Sequence, residues 1–279
     1  MILFSLHCQM GNQMFQYAFA VAQAKKLKTF FIPFLSTPYY PYKLLYFKTD
    51  WFTNFIYTDC WRTKQFKRIC RKLIRFYIKE TITDEDGAVF VPAQNRTYYE
   101  GFFQSDRYFK DNEPAIKRAF AIKMEYKEVF LAKYHTILTT HKMLVVHVRR
   151  TDYQYVEYDG LGGVDVSLPM RYYHAALSMI SNLEQYKILV VGDDIESVRE
   201  EFRMYPDVSF ESNIAIVDFQ LIQYADVVII ANSSFAWWAA YLSQKTDATV
   251  YAPNYWLGHK VEKVYPGGII TERFNWVTF

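Results

Sequence analysis

The chain has 279 residues, 51% of them hydrophobic, which is enough for two domains that each bury a core. A formal net charge of +3 is too small to indicate nucleic-acid binding. The three cysteines, odd in number and without a CxxC spacing, argue against a disulfide framework and a zinc site and favour a reducing cytoplasm. No apolar run reaches membrane-spanning length, so any membrane association is expected to be peripheral.

The N-terminal half opens with a strand–helix–strand pattern. The short apolar start lacks the basic residues of a signal peptide and predicts a buried strand. The predicted elements are a strand at Ile2–His7, a helix at Asn12–Leu27, strands at Thr29–Phe34 and Thr97–Phe103, and a helix at Lys127–Thr139. Residues 36–60 are rich in Tyr, Phe and Pro without a period, and we expect them to be irregular.

A basic amphipathic helix is predicted at Trp61–Lys79. Its basic residues are Arg62, Lys64, Lys67, Arg68, Arg71, Lys72, Arg75 and Lys79. One interpretation is a solvated helix face. The other is peripheral contact with an anionic membrane, on the inner face of a bacterial membrane for a cytoplasmic protein.

The C-terminal half alternates strands with helices, which predicts a parallel sheet covered on both faces. The strands are Met143–Val148, Lys187–Val191, Val227–Ala231 and Thr249–Ala252; the helices are Met170–Ser181, Ile195–Phe202, Val217–Tyr224 and Phe235–Ser243. We therefore predict an α/β fold with a boundary near Thr140–Lys142, giving domains 1–141 and 142–279.

Polar side chains follow each strand of that sheet. The strand ends carry His147-Val148-Arg149-Arg150-Thr151-Asp152, Gly192-Asp193-Asp194, Asn232-Ser233-Ser234 and Pro253-Asn254. Because ligands of open α/β sheets bind beyond the carboxyl ends of the strands, these residues predict one site. Two adjacent arginines at the end of a strand favour a diphosphate ligand, because each guanidinium can donate two parallel hydrogen bonds to phosphate oxygens.

The remaining strand ends admit two interpretations each. Asn232, Ser233 and Ser234 precede an apolar helix, where they are typical helix caps, and the free N–H groups of the same helix end suit a phosphate. The Gly192-Asp193-Asp194 turn is either a helix cap or an acceptor for the N–H groups of guanine.

The first turn carries Asn12, which is most simply a helix cap. A single glycine at this turn falls short of a dinucleotide fingerprint. The six histidines form no metal-ligand spacing. We therefore predict a metal-independent site without a cofactor, in which arginines supply the positive charge.

These residues, in this order, resemble bacterial α-1,2-fucosyltransferases of glycosyltransferase family 11. The matching stretches are Gly11-Asn12-Gln13-Met14-Phe15-Gln16-Tyr17-Ala18, Gly101-Phe102-Phe103-Gln104-Ser105, the hexad from His147 with Tyr153, Gly192-Asp193-Asp194, Asn232-Ser233-Ser234-Phe235-Ala236-Trp237-Trp238 and Ala252-Pro253-Asn254-Tyr255-Trp256. The HxRRxD hexad is shared with other fucosyltransferases, including the core α-1,6 type, whereas NQMFQYA and SSFxWW are more specific. One departure is Cys8-Gln9-Met10, where the family usually has a Gly-Gly pair.

The resemblance implies a GT-B-like architecture of two Rossmann-like domains, with the acceptor on the N-terminal side. It implies transfer of L-fucose from GDP-β-L-fucose, bound by the C-terminal domain, to the 2-hydroxyl of a terminal galactose, with inversion. The glycan that carries this galactose is either a lipopolysaccharide, a capsule or a host-like antigen. The donor-binding candidates are Asn12, His147, Arg149, Arg150, Asp193, Asp194, Asn232, Ser233 and Ser234. Arg149 would also be catalytic, as the clamp on the departing diphosphate.

The general base is predicted among Asp152, Glu157 and Asp159, with Glu157 first because some HxRRxD enzymes carry a carboxylate at that spacing. Asp152 has a second interpretation, in which it orients Arg149 or Arg150. The alternatives to this function are a fucosyltransferase of another linkage or acceptor, a non-catalytic nucleotide- or carbohydrate-binding protein, and a membrane-associating scaffold centred on residues 61–79.

Overall fold

The computed structural model describes residues 1–35, 41–49, 72, 76–84 and 90–279. The chain forms two compact units, one of Met1–Lys123 with Gly267–Ile269 and the other of Met124–Pro266 with Ile270–Phe279. The basic helix predicted at Trp61–Lys79 falls almost wholly outside the described residues.

The first unit is built on a parallel sheet. Its described elements are β1 (Ile2–Leu6), α1 (Met10–Lys26), β2 (Phe31–Leu35), α2 (Tyr42–Tyr46), β3 (Glu80–Asp84), β4 (Thr97–Gly101) and α3 (Glu113–Ala119). The strand order is β2-β1-β4-β3, with every described pairing parallel. The structure thus confirms the predicted strand–helix–strand opening, whereas the expectation that residues 36–60 are irregular throughout is wrong at α2.

Aromatic packing between α1 and the sheet forms the core of this unit. β1 is buried at every position, as a strand covered on both faces must be. Phe19 stacks on Phe103 at 3.9 Å and meets Tyr99 edge-on at 5.0 Å. This explains the high aromatic content as core packing in this part of the chain.

The second unit is also built on a parallel sheet. Its described elements are α4 (Met124–Thr140), β5 (Lys142–Val148), β6 (Glu157–Tyr158), β7 (Gly163–Val164), α5 (Met170–Ser178), β8 (Tyr186–Gly192), α6 (Arg199–Phe202), β9 (Val208–Glu211), α7 (Ala215–Tyr224), β10 (Val227–Ile229), α8 (Ser234–Tyr241), β11 (Thr249–Pro253) and β12 (Asn275–Val277). The sheet order is β12-β11-β10-β5-β8-β9, and β6 and β7 form a separate antiparallel hairpin.

Strand β5 lies in the middle of this sheet because its residues are apolar on both faces. Leu144, Val146 and Val148 are fully buried and belong to the same core cluster as Tyr172 and Tyr173 of α5. All five sheet pairings are parallel, so the carboxyl ends of the strands lie at one edge. The structure confirms the predicted parallel sheet, and this edge is where the polar strand ends collect.

The division between the units falls before α4, whereas the sequence analysis placed it near Thr140–Lys142. The reason is that α4 packs on α7 of the second unit. The Gln220 side chain donates to the Tyr126 carbonyl at 3.1 Å, and the Phe130 and Tyr224 rings lie 5.3 Å apart. The roles assigned to the two domains stay predictions.

Candidate active site

The guanidinium of Arg149, just beyond β5, is held between two carboxylates. Its Nη2 lies 2.6 Å from Asp152 Oδ1 and its Nη1 lies 2.9 Å from Asp193 Oδ2. The group also lies 5.2 Å from the centre of the Tyr153 ring, and its side chain is 27% exposed. A half-buried guanidinium fixed on three sides is preorganised to bind an anion.

Asp193, just beyond β8, connects to the whole segment after β5. Its Oδ1 accepts from the Arg150 amide at 2.8 Å, and its Oδ2 accepts from the Thr151 hydroxyl at 2.6 Å in addition to Arg149. The neighbouring Asp194 instead accepts from the Ser197 amide at 3.4 Å, which caps the turn that follows. The structure therefore brings Asp193, but not Asp194, into contact with the arginine segment.

Gly192 makes this approach possible. A Cβ built on Gly192 would lie 2.1 Å from the Val148 carbonyl oxygen, and Gly192 adopts φ +155°. A side chain at this position would force β5 and β8 apart where both strands end.

The junction between β10 and α8 lies at the same edge. The Asn232 side-chain amide donates to the Val166 carbonyl at 2.7 Å, and the Asn232 backbone carbonyl accepts from the Tyr153 hydroxyl at 3.2 Å. Ser233 is the residue that precedes α8, but its side chain makes no capping hydrogen bond, so the prediction of a serine cap is wrong there. Asn232 thus joins the loop after β5 to the start of α8.

His147 is buried at the end of β5, with its ring 5.8 Å from that of Phe235. Burial lowers the pKa of His147 to about 4, so the imidazole is neutral at physiological pH. Among the described residues, three buried side-chain atoms at this edge lack a partner: His147 Nδ1, Arg150 Nε and Asn232 Oδ1. Such atoms are rare in folded proteins and fit a site that a polar ligand completes.

Glu157 lies on the exposed face of the β6–β7 hairpin. It pairs with Val164, which is also exposed, and Asp159 is exposed at the hairpin turn. Successive strand residues point to opposite faces, so the Tyr158 side chain lies on the other face, where its ring is 6.0 Å from that of Tyr265. Of the base candidates, only Asp152 directly contacts Arg149.

Asn12 belongs to the first unit. Helix α1 begins at Met10 after Gln9, so Asn12 lies within the first turn and the prediction that it caps the helix is wrong. Its Oδ1 accepts from the Gln104 side chain at 2.7 Å. Cys8 adopts φ +64°, and the Gln13 side chain donates to its carbonyl at 2.9 Å. The first turn therefore has a left-handed residue that is not glycine.

Asp218 is a buried carboxyl group that none of the sequence motifs includes. It is buried in the first turn of α7, where Oδ1 accepts from the Asn213 side chain at 2.9 Å. Burial raises the pKa of Asp218 to about 7. The hydrogen bond from Asn213 and the positive charge of Lys133 lower this pKa, but by less. Helix α7 is apolar nearly all round, and that pattern was the available signal, because such a helix has no solvated face for a carboxylate.

The described residues contain no group of three or more His, Cys, Asp or Glu side chains arranged for a metal ion. Nor does any helix in the described ranges have the length and hydrophobicity needed to cross a bilayer.

Two units built on parallel sheets, with polar strand ends at the carboxyl edge of the second, define a GT-B-like α/β protein. The model of Glycosyl transferase family 11 matches residues 1–265, and the chain therefore belongs to that glycosyltransferase family.

Two curated relatives from Escherichia coli match parts of the chain. An alpha-1,2-colitosyltransferase is 31% identical over 166 residues, which is 56% of this chain and 54% of the relative. The O-antigen biosynthesis glycosyltransferase WbnK is 28% identical over 116 residues, covering 40% of this chain and 38% of the relative. The chain thus spans about half the length of the first relative and less of the second.

Solved fucosyltransferases share the fold. NodZ from Bradyrhizobium superimposes with a TM-score of 0.54 at 14% identity, over 87% of this chain and 93% of that one. POFUT1 in complex with GDP-fucose gives a TM-score of 0.53 at 10% identity, over 90% and 97%. At these identities the likeness concerns the architecture alone.

Proposed function

We propose that this family 11 glycosyltransferase transfers L-fucose from GDP-β-L-fucose to the 2-hydroxyl of a terminal galactose, with inversion and without a metal ion. The acceptor would be a surface-polysaccharide glycan, a proposal supported by the relative named for O-antigen biosynthesis. We also propose that the protein acts in the cytoplasm, with residues 61–79 contacting the anionic inner face of the membrane.

The observation that carries this proposal is the Arg149 guanidinium fixed between Asp152 and Asp193 at the carboxyl edge. As the bond from the fucose anomeric carbon to the diphosphate breaks, negative charge grows on the departing GDP. A guanidinium already in place stabilises that charge without reorganising. GDP leaves as a stabilised anion, so no strong general acid is required.

The galactose hydroxyl does require a base, and two carboxylates compete for this role. Asp152 lies 2.6 Å from the Arg149 guanidinium, so its carboxylate is already engaged as a hydrogen-bond acceptor within the protein. We therefore assign Asp152 to orienting Arg149 and keep Glu157 as the first candidate base. Transfer rates decide between them: near-normal transfer by Glu157→Gln together with loss of transfer by Asp152→Asn would contradict this assignment.

A second candidate function is α-1,2 transfer of colitose, favoured by the relative with 31% identity. Colitose is fucose without its 3-hydroxyl group. A site built to hydrogen-bond that hydroxyl rejects the deoxy sugar by about 10⁴-fold or more, whereas a site with an apolar surface there does not. Comparing kcat/KM for GDP-fucose and GDP-colitose distinguishes the two donors.

The test of the proposal is GDP release from GDP-fucose in EDTA, with and without a panel of galactose-terminated disaccharides. We expect release that depends on a β-galactoside and is indifferent to EDTA, with an α-1,2 linkage in the product. Activity only with added metal would refute the metal-free mechanism. Tight GDP binding without transfer to any galactoside would favour a binding protein.

Two variants of Arg149, to alanine and to lysine, test the role of its guanidinium in the same assay. Arg149→Lys should lose some rate, because lysine retains the charge but not the pair of parallel donors. Arg149→Ala removes both and should lose far more rate. Wild-type turnover by both variants would refute the role of Arg149 as a clamp.

A further inference from the structure

We propose that Asp193 is a positioning residue that sets the geometry of the Arg149–Thr151 segment, and that it does not read the guanine base. This inference rests on the proposed GDP-sugar site. It replaces the guanine-acceptor interpretation of the Gly192-Asp193-Asp194 turn with a role inside the protein.

The first argument is that both carboxylate oxygens of Asp193 are engaged within the protein. Oδ2 accepts from Arg149 Nη1 at 2.9 Å and from the Thr151 hydroxyl at 2.6 Å, and Oδ1 accepts from the Arg150 amide at 2.8 Å. The side chain is 19% exposed. To accept from two N–H groups of a guanine, Asp193 would have to release contacts that hold the anion-binding arginine.

The second argument is that the backbone is shaped for this contact. Gly192 pairs with Val148 at the last position of the β5–β8 ladder, and a Cβ on Gly192 would lie 2.1 Å from the Val148 carbonyl oxygen. The close approach of the two strand ends brings Asp193 within hydrogen-bond distance of the three residues that follow Val148. A base-reading carboxylate would not require this approach.

The third argument is the division of charge around Arg149. Two carboxylates, Asp152 and Asp193, contact one guanidinium through different nitrogens. Asp152 is 55% exposed and Asp193 only 19%, so the Asp193 contact is the better shielded from solvent. Asp193 is therefore the stronger determinant of where the Arg149 guanidinium lies.

The test compares the affinities of GDP and inosine diphosphate by calorimetry. Inosine diphosphate has the same phosphates but lacks the exocyclic amino group of guanine. Asp193→Asn should weaken both nucleotides by the same factor, about 10-fold, because it removes a charge-assisted hydrogen bond that orients the diphosphate ligand Arg149. Asp207→Asn is the control, because it removes a carboxylate from an exposed ion pair with Lys187 in the same unit, and it should leave both affinities within about twofold.

A double-mutant cycle separates positioning from general damage to the structure. In an Arg149→Ala background, Asp193→Asn should weaken GDP by no more than about threefold, because the guanidinium that Asp193 orients directly is gone and only its contacts with Arg150 and Thr151 remain to be lost. An equal loss in both backgrounds would overturn the proposal. Loss of GDP preference over inosine diphosphate in Asp193→Asn would overturn it in favour of base reading.

Thr151→Val provides the same test if Asp193→Asn fails to fold. It removes one hydrogen bond to Asp193 and keeps every charge, so both nucleotides should weaken by about threefold with their ratio unchanged. A changed ratio would again support base reading. If the wild-type protein binds neither nucleotide, the proposed function itself fails, an outcome distinct from a changed ratio.

Discussion

Replacing Gly192 with alanine tests the link between the sheet and the candidate site. The new Cβ would lie 2.1 Å from the Val148 carbonyl oxygen and 2.9 Å from its carbonyl carbon, distances that only a backbone shift relieves. Strain at φ +155° costs roughly 1–3 kcal/mol. Weakening the hydrogen bonds to Asp193 adds roughly 1–2 kcal/mol, so we expect Gly192→Ala to lower the free energy of unfolding by about 4 kcal/mol.

Gly160→Ala is the matched control for this substitution. Gly160 also has a positive φ, +70°, but an added Cβ there meets nothing within 4 Å. We expect it to cost only the strain of a left-handed alanine, about 1 kcal/mol. The difference between the two variants therefore measures what is particular to Gly192, namely its backbone strain, its contact with Val148 and the hydrogen bonds to Asp193.

Urea titration followed by tryptophan fluorescence measures both variants, since Trp237, Trp238 and Trp256 are buried in the second unit. GDP affinity, measured in parallel, should fall for Gly192→Ala and stay near the wild-type value for Gly160→Ala. A stability difference below about 1 kcal/mol between the variants, with GDP binding intact, would refute the reasoning.

Three further substitutions test other parts of the chain. The free energy of unfolding of Asp218→Asn, relative to that of the wild type, should rise by about 2 kcal/mol between pH 5 and pH 8 in urea titrations. The reason is that the pKa of Asp218 is raised from 3.8 to about 7, so the wild-type native state loses stability as the carboxyl ionises. A difference that does not change with pH would contradict this. Gln16→Leu should lower the free energy of unfolding by about 2–3 kcal/mol, because it removes the partners of the His7 amide and the Gly101 carbonyl; a loss below about 1 kcal/mol would be inconsistent with those contacts. Lys260→Met should speed amide hydrogen exchange in the β6–β7 hairpin with little change in global stability, because it removes the hydrogen bond from Lys260 Nζ to the Val164 carbonyl. Unchanged exchange would show that this hydrogen bond does not stabilise the hairpin.

The parts of the fold that could be predicted are those with continuous apolar strands. β5 and β8 are apolar over most of their lengths and each has three β-branched residues, which predicts a buried parallel pair. The polar residues at their ends then had to meet at one edge. The proximity of Arg149 and Asp193 was therefore predictable from the sequence.

The parts that could not be predicted are short or depend on partners distant in sequence. β6 and β7 have two residues each, and β12 has three, which is too few for any periodicity to be read. The pairing of Asp193 with the Arg150 amide depends on how closely two strand ends approach. In the sequence, the one sign of that approach is Gly192, where the structure leaves no room for a Cβ. The sequence does not distinguish this glycine from an ordinary turn glycine.

The burial of His147 has a consequence for how the site responds to acidity. With a pKa of about 4 the imidazole contributes no charge in the physiological range, and its cost to stability develops only as the medium is acidified from about 6.5 toward 4. The charge of His147 therefore stays the same across neutral pH, and this residue contributes nothing to a pH dependence of anion binding in that range.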